Sequence, residues 1–305
     1  MDDSKEPINE VDEVCANCGK AAVDEIKLMK CACKLVQYCS VDCQKNHRPQ
    51  HKACKKRARE IRDQQLFTQP DGTHLGECPI CYLPHSIDQT KLKLNSCCCK
   101  RICEGCNHAN KQREIEQGLE HTCAYCREPL PHTEEEGVQN LMKRVEVNDP
   151  LALYQMGRRC RDEGDFEGAI QYFTKAAALG DIDAHYNLSA LYRKGEGGVE
   201  KDKKKEIYHS EEAAIGGHPL ARYSLAIREE ENAREDRACR HLIIASKLGL
   251  DVALDAVKMG FMNGSVSKEE YEAALRGCQA AVDATKSQQR DAAEVHFKGR
   301  RLSTN

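Results

Sequence analysis

Sixteen of the nineteen cysteines in this 305-residue chain lie between Cys15 and Cys126, and half of those fall in pairs with two residues between them. That density constrains the fold more than any hydrophobic pattern, because so many neighbouring thiols must be disulfides or metal ligands. The chain opens Met1-Asp2-Asp3-Ser4-Lys5-Glu6-Pro7, with neither the basic start nor the apolar run of a secretory signal. The expectation is an intracellular, reducing compartment, cytoplasmic or nuclear, where paired thiolates read as zinc sites rather than disulfides. Zinc favours such thiolates in closed tetrahedral sites, with Zn–S of about 2.3 Å. The expected fold is mainly α: two small zinc-stabilised modules followed by an α/α helical-repeat solenoid.

The charge balance, 46 basic against 49 acidic residues, gives no general attraction for nucleic acid. Residues 44–62 are the exception, with eight Lys and Arg against the single Glu60. A solvated helix flank accounts for that run better than a nucleic-acid patch does. No apolar stretch of about 18 residues is present, so no membrane span is expected.

Residues 1–14 are polar and acidic and read as a disordered leader. Module one, residues 15–54, contains Cys15-Ala-Asn-Cys18-Gly19, then Cys31 and Cys33, Tyr38-Cys39-Ser40, Cys43-Gln44, His51 and Cys54. This order resembles the MYND zinc finger. The resemblance implies one zinc on Cys15, Cys18, Cys39 and Cys43, and a second on Cys31, Cys33, His51 and Cys54. The second set departs from the family spacing in two places, and His47 competes with His51 as the nitrogen ligand. Arg48 stands where many members carry an aromatic residue, which would weaken peptide binding.

Residues 55–77 read as a basic helix and a linker broken at Pro70-Asp71-Gly72. Module two, residues 78–129, runs Cys78-Pro79-Ile80-Cys81, Cys97-Cys98-Cys99, Cys103-Glu-Gly-Cys106, and Cys123-Ala-Tyr-Cys126-Arg127-Glu128-Pro129. It resembles a RING finger, although Cys99 and Lys100 stand where that family has a histidine. The resemblance implies a cross-brace, with Cys78, Cys81, Cys103 and Cys106 on one zinc. Cys123 and Cys126 would hold another with two thiols of the triplet. Cys97 and Cys98 are preferred, and Cys99 is the alternative. Ile80, Arg127 and Pro129 match positions at which RING ubiquitin ligases contact a conjugating enzyme and its ubiquitin.

Thr133-Glu-Glu-Glu136 opens a connecting helix within 130–149, and Asp149-Pro150 caps the next. A repeat then emerges over 150–286. Ala184, Ala221 and Ala253 recur at 37 and 32 residues, and Gly180, Gly217 and Gly249 recur with them. The segment from Ala184 to Gly217 resembles a Sel-one-like repeat, and the unit before it reads like the related tetratricopeptide form. Residues 287–305 read as a polar, frayed tail. The order of modules resembles that of a group of algal proteins of the diatom type.

Thiolates saturated by zinc are not nucleophiles, and a four-ligand site has no place for an activated water, so no conventional active site is expected. The functional expectation is a scaffold binding about four zinc ions and protein partners through its fingers and repeats. The alternative is a RING-type ubiquitin ligase that selects substrates with the repeats.

Overall fold

A computed structural model describes residues 14–18, 20, 28–31 and 35–302, the side chains of 49–51 and 298–302 excepted. The chain forms two compact units, Met1–Thr68 and Gln69–Asn305. The division therefore falls ahead of the second cysteine cluster, which shares a unit with the helices. The leader expected over 1–14 lies, apart from Val14, outside the described residues.

In the first unit, β1 (Met29–Lys30) pairs antiparallel with β2 (Gln37–Tyr38), and Cys15 bridges to Gln37. Helix α1 (Val41–Asn46) is capped by the Ser40 hydroxyl, and α2 (Arg48–Phe67) follows directly. The helix flank expected for the basic run 44–62 is thus broken at His47. Pro49 lies in the first turn of α2, where its missing N–H costs nothing, but it cannot continue the helix before it. Cys15, Cys31 and Tyr38 form the small core. Among the described side chains of α2 only Leu66 is buried, so the basic run 52–59 is a solvated flank.

The second unit begins with a two-stranded sheet, β3 (Leu92–Asn95) against β4 (Lys100–Cys103), with Leu92 opposite Cys103 and Asn95 opposite Lys100. Helix α3 (Glu104–Glu116) follows without a break, and α4 (Glu134–Glu146) leads into the array. Four helix pairs then stack in order. They are α5 (Pro150–Asp162) with α6 (Phe166–Ala178), and α7 (Ile182–Lys194) with α8 (Lys203–Ile215). After them come α9 (Pro219–Glu231) with α10 (Glu235–Lys247), and α11 (Asp251–Met262) with α12 (Lys268–Ala284).

The third residue of each pair's first helix is an alanine, Ala152, Ala184, Ala221 and Ala253, and all four are completely buried. A larger side chain there would push neighbouring helices apart. Phe173, Leu188, Leu225, Leu242 and Val257 fill the space between. Gly180, Gly217 and Gly249 leave the second helices at φ +84° to +91°, the left-handed exit that favours glycine.

Most of the polar tail expected over 287–305 is helical, and its last three residues lie outside the described residues. α13 (Gln288–Leu302) packs along α3, burying Ala293 and setting His296 and Phe297 beside His108. Its apolar face is too sparse to be seen locally, and its partner lies about 180 residues earlier in the chain.

Candidate metal centres

Three groups of four thiols converge, each with its sulfur atoms within 4.8 Å of one another. A tetrahedron with Zn–S of about 2.3 Å has S···S edges of about 3.8 Å. The close pairs meet that figure: 3.6 Å for Cys18–Cys39 and Cys39–Cys43, and 3.8 Å for Cys81–Cys103 and Cys98–Cys123. Cys97–Cys126 is somewhat shorter, at 3.4 Å. An all-sulfur donor set with this spacing fits zinc.

The first group is Cys15, Cys18, Cys39 and Cys43. Cys15 is fixed by its N–H to the Lys20 carbonyl (2.8 Å), and Cys43 by its N–H to the Ser40 hydroxyl (3.1 Å). Burial opposes ionisation of Cys15, but backbone N–H groups of Cys39, Cys18 and Asn17 outweigh it and lower the thiol to about 6. Cys39, surrounded by the thiols of Cys18, Cys43 and Cys15, is pushed up to about 12. A bound cation would displace the protons that these thiols hold.

Of the second set in this unit, Cys31 is buried and Cys54 half-buried on α2. Cys33 and the side chain of His51 lie outside the described residues. His47, the competing nitrogen, has Nδ1 2.9 Å from the Tyr38 hydroxyl. Arg48 opens α2, exposed.

In the second unit the four cysteine pairs interleave. Cys78 and Cys81 meet Cys103 and Cys106, whereas Cys97 and Cys98 meet Cys123 and Cys126. The two end knuckles share one geometry. Cys78 N–H donates to the Leu83 carbonyl and Cys123 N–H to that of Glu128, and the residue after each knuckle, Tyr82 or Arg127, takes a left-handed φ of 56° or 65°. Cys103 caps α3, its sulfur accepting from the Cys106 N–H at 3.4 Å. The triplet is split by the hairpin turn. Cys99 has φ 50°, is buried apart from both groups, and its thiol is pushed up to about 11 by burial.

Ile80 is 37% exposed on the first knuckle, and Arg127 and Pro129 are exposed at the last. Arg127 donates from Nη1 to Asn110 Oδ1 on α3 at 2.6 Å. Ile102, fully buried, is the apolar centre of the module.

Two buried carboxylates escaped the sequence reading. Glu114 accepts from the Thr122 N–H and hydroxyl, from Asn110 and from His121, all within 3.2 Å. Against the cost of burial these bonds hold its pKa at about 2, and they fix the loop that leads to Cys123. Asp183, in the first turn of α7, accepts from His74 Nε2 at 3.0 Å and from Arg101 Nη2 at 2.5 Å, with His218 Nε2 at 3.7 Å. In sequence both acids look like ordinary helix polarity, and nothing local marks them.

His74, Asp183 and His218 have metal-ligating chemistry, with ligand atoms within 4.8 Å of one another, but the carboxylate already has a cation beside it. The two imidazoles are stacked 4.3 Å apart at 16°, and both Nε2 atoms face Asp183 Oδ1. His218 Nδ1 accepts the Ala221 N–H, which places the proton of the neutral ring on Nε2. Arg101 supplies the cation for the carboxylate. The cluster is a buried polar latch holding residues 74–101 on α7 and α9, reinforced by His74 N–H to the Gly217 carbonyl at 3.3 Å.

Residues 15–55 match the family model of the MYND finger. A MYND finger opens the chain. Residues 150–181 and 182–218 each match the Sel1 repeat, so the unit expected in tetratricopeptide form is of the Sel1 kind as well. Among solved structures the chain is similar to a Sel1 repeat protein from Oxalobacter formigenes, at 22% identity over 57% of this chain with TM-score 0.43. It is also similar to c5321, a protective antigen present in uropathogenic Escherichia coli strains and displaying an SLR fold, at 15% identity over 62% with TM-score 0.32. The chain spans about half, 51%, of each of those two chains. No curated protein matches it significantly. Among the described residues no helix is long and apolar enough to cross a membrane.

Proposed function

We propose that this chain is an intracellular, zinc-dependent protein-interaction scaffold that carries a MYND finger, a RING-like finger and a Sel1-type array. The observation that carries the reading is the meeting of three cysteine tetrads at tetrahedral sulfur spacing. Zinc would be held by Cys15, Cys18, Cys39 and Cys43, by Cys78, Cys81, Cys103 and Cys106, and by Cys97, Cys98, Cys123 and Cys126. A fourth ion would take Cys31, Cys33, His51 and Cys54. Bound zinc supplies folding free energy to modules whose cores are too small to stand alone. Elemental analysis of metal-replete protein should find about four ions, four ligands serving each closed site. A value of three would remove the Cys31 site, and two or fewer would sink the two-module reading.

The first-helix face of the array is engaged around Asp183 by residues 74–101. Partner contacts are therefore assigned to the MYND finger and to the exposed rim of the RING-like finger. Affinity capture with Cys15→Ser and Ile80→Ala variants, compared with the unaltered chain, should lose different sets of partners. Identical sets from all three would refute that assignment.

The exposure of Ile80, Arg127 and Pro129 favours a second reading, a RING-type ubiquitin ligase that positions a charged conjugating enzyme. In it Ile80→Ala weakens recruitment, and Arg127→Ala slows discharge more than binding. Absence of discharge across a panel of conjugating enzymes would leave the scaffold alone.

A further inference from the structure

We infer that Arg290, in the first turn of α13, is a positioning residue for the zinc site of Cys78, Cys81, Cys103 and Cys106, and that it governs how readily that site gives up its ion. The inference rests on the zinc reading of those four cysteines. Arg290 Nη2 donates to Cys81 Sγ at 3.4 Å and to the Leu83 carbonyl at 3.1 Å. Its Nη1 donates to the Pro84 carbonyl at 2.6 Å and to the carbonyl of Thr285, at the end of α12, at 2.8 Å. One guanidinium thus grips both a ligand sulfur and the turn that sets that sulfur's direction.

The opposite side of the site is closed by the same helical turn. A Cβ added at Gly105, inside the Cys103–Cys106 knuckle, would come within 3.0 Å of the Arg290 backbone N and Cα and 2.8 Å of its Cγ. Glycine is needed here for close approach, and the approach brings α13 against the knuckle. Gln289, next to Arg290, places Oε1 4.0 Å from Cys106 Sγ. Further along, Lys91 pairs with Glu294 at 3.0 Å, holding the helix in place without touching a cysteine.

The chemistry follows from charge. Four thiolates around one divalent ion leave a net charge of −2, concentrated on sulfur. A guanidinium donating to one of those sulfurs lowers its basicity and its tendency to take a proton or an electrophile. The other zinc-binding thiols of this module, Cys97, Cys98, Cys123 and Cys126, have no arginine contact of this kind among those described, so the two sites of one module should differ in lability.

The test uses the full chain, loaded with zinc. Zinc transfer to a chelating dye and residue-by-residue alkylation of cysteines, read by mass spectrometry, are followed together. Arg290→Ala should speed alkylation of Cys81 and release of one zinc by about 10-fold or more, the usual effect of removing a partner of a metal ligand. Cys97, Cys98, Cys123 and Cys126 should react at the unaltered rate. Gly105→Ala should act in the same direction from the other side. Arg290→Lys, which keeps the charge but not the fork, should fall between. Glu294→Ala should leave both rates unchanged. The inference is overturned if Arg290→Ala leaves Cys81 protected, or if Glu294→Ala exposes Cys81 equally, which would reduce Arg290 to helix docking. If Cys78, Cys81, Cys103 and Cys106 alkylate freely in zinc-replete unaltered protein, the zinc reading fails instead.

Discussion

The two cysteine modules use the same donors in different settings. The MYND finger has a described core of Cys15, Cys31 and Tyr38, two thiols and one aromatic ring. The second module adds Ile102 and its own Glu114 network and, beyond its own residues, the Asp183 latch and the Arg290 clamp. A module with so small a described core as the first is expected to depend the more on bound metal. One of the second kind shares its stability with the helical array, and the array must in turn feel the loss of metal.

Chelation is the largest test of that contrast, since structural zinc contributes on the order of 10 kcal/mol per site. After zinc removal, hydrogen exchange should show complete loss of protection in β1, β2 and α1. The second module should lose its knuckles, yet β4 and the start of α7 should keep partial protection through Arg101 and Asp183. Helices α5, α6 and α8 to α10 should be unaffected, and α13 should loosen along with the first knuckle. Equal loss in both modules would break the comparison, and collapse of α5 to α10 would show that the array is no independent support.

Legibility in the sequence follows the same division. The cysteine pairs, the Asp149-Pro150 start and the Ala/Gly period are local patterns, and each directly reflects a local physical need: a ligand pair, a cap, a close helix crossing. The docking of the module was not legible, because Asp183 meets Arg101 and His74, and Arg290 meets Cys81, across 82 to 209 residues of chain. Each alone reads as ordinary surface charge. The triplet was ambiguous because spacing does not encode φ, and it is the left-handed φ of Cys99 that turns its sulfur away from its neighbours.

Removing the latch should have the next largest effect. Asp183 is 3% exposed, and Asp183→Ala leaves the Arg101 guanidinium and His74 Nε2 without their partner carboxylate. Breaking a buried pair in this way costs about 3–5 kcal/mol. Urea unfolding of zinc-loaded protein should show that loss, whereas Asp183→Asn, which keeps an acceptor, should cost less. A loss under about 1 kcal/mol for the alanine variant would place the module's support elsewhere.

Acid should weaken the array itself, separately from any loss of metal. Burial is the leading cause that lowers His218 and His241 to about 3, and the Arg222 guanidinium further opposes protonation of His241. Their folded pKa values lie below the unfolded value near 6.5, so the unfolded chain binds more protons as pH falls. The stability they confer is fully present above about 6.5 and is lost progressively toward 3. At pH 5 each histidine accounts for at most about 2 kcal/mol. Exchange rates in α9 and α10 at pH 7 and 5.5 should show the trend, and His241→Gln should flatten it. An unchanged slope in that variant would mean the acid response comes from the modules.

The smallest effect separates the array from the helix that joins it to the module. Ser267 caps α12 with a complete box: its hydroxyl accepts the Glu270 N–H at 3.2 Å, and Glu270 returns to the Ser267 N–H at 2.9 Å. At α4 the same sequence pattern is only half realised. Thr133 accepts the Glu136 N–H at 3.2 Å, but the Glu136 carboxylate goes to the N–H of His132 instead. Ser267→Ala removes the acceptor for Glu270 N–H and the hydroxyl bond to the Glu270 carboxylate, so it should cost about 1–1.5 kcal/mol. Thr133→Ala removes a single bond at an exposed junction, and about 0.5–1 kcal/mol is expected there. Chemical denaturation of the two variants should rank them in that order. The reverse ranking would mean that α4 bears more of the load between module and array than its exposed cap indicates.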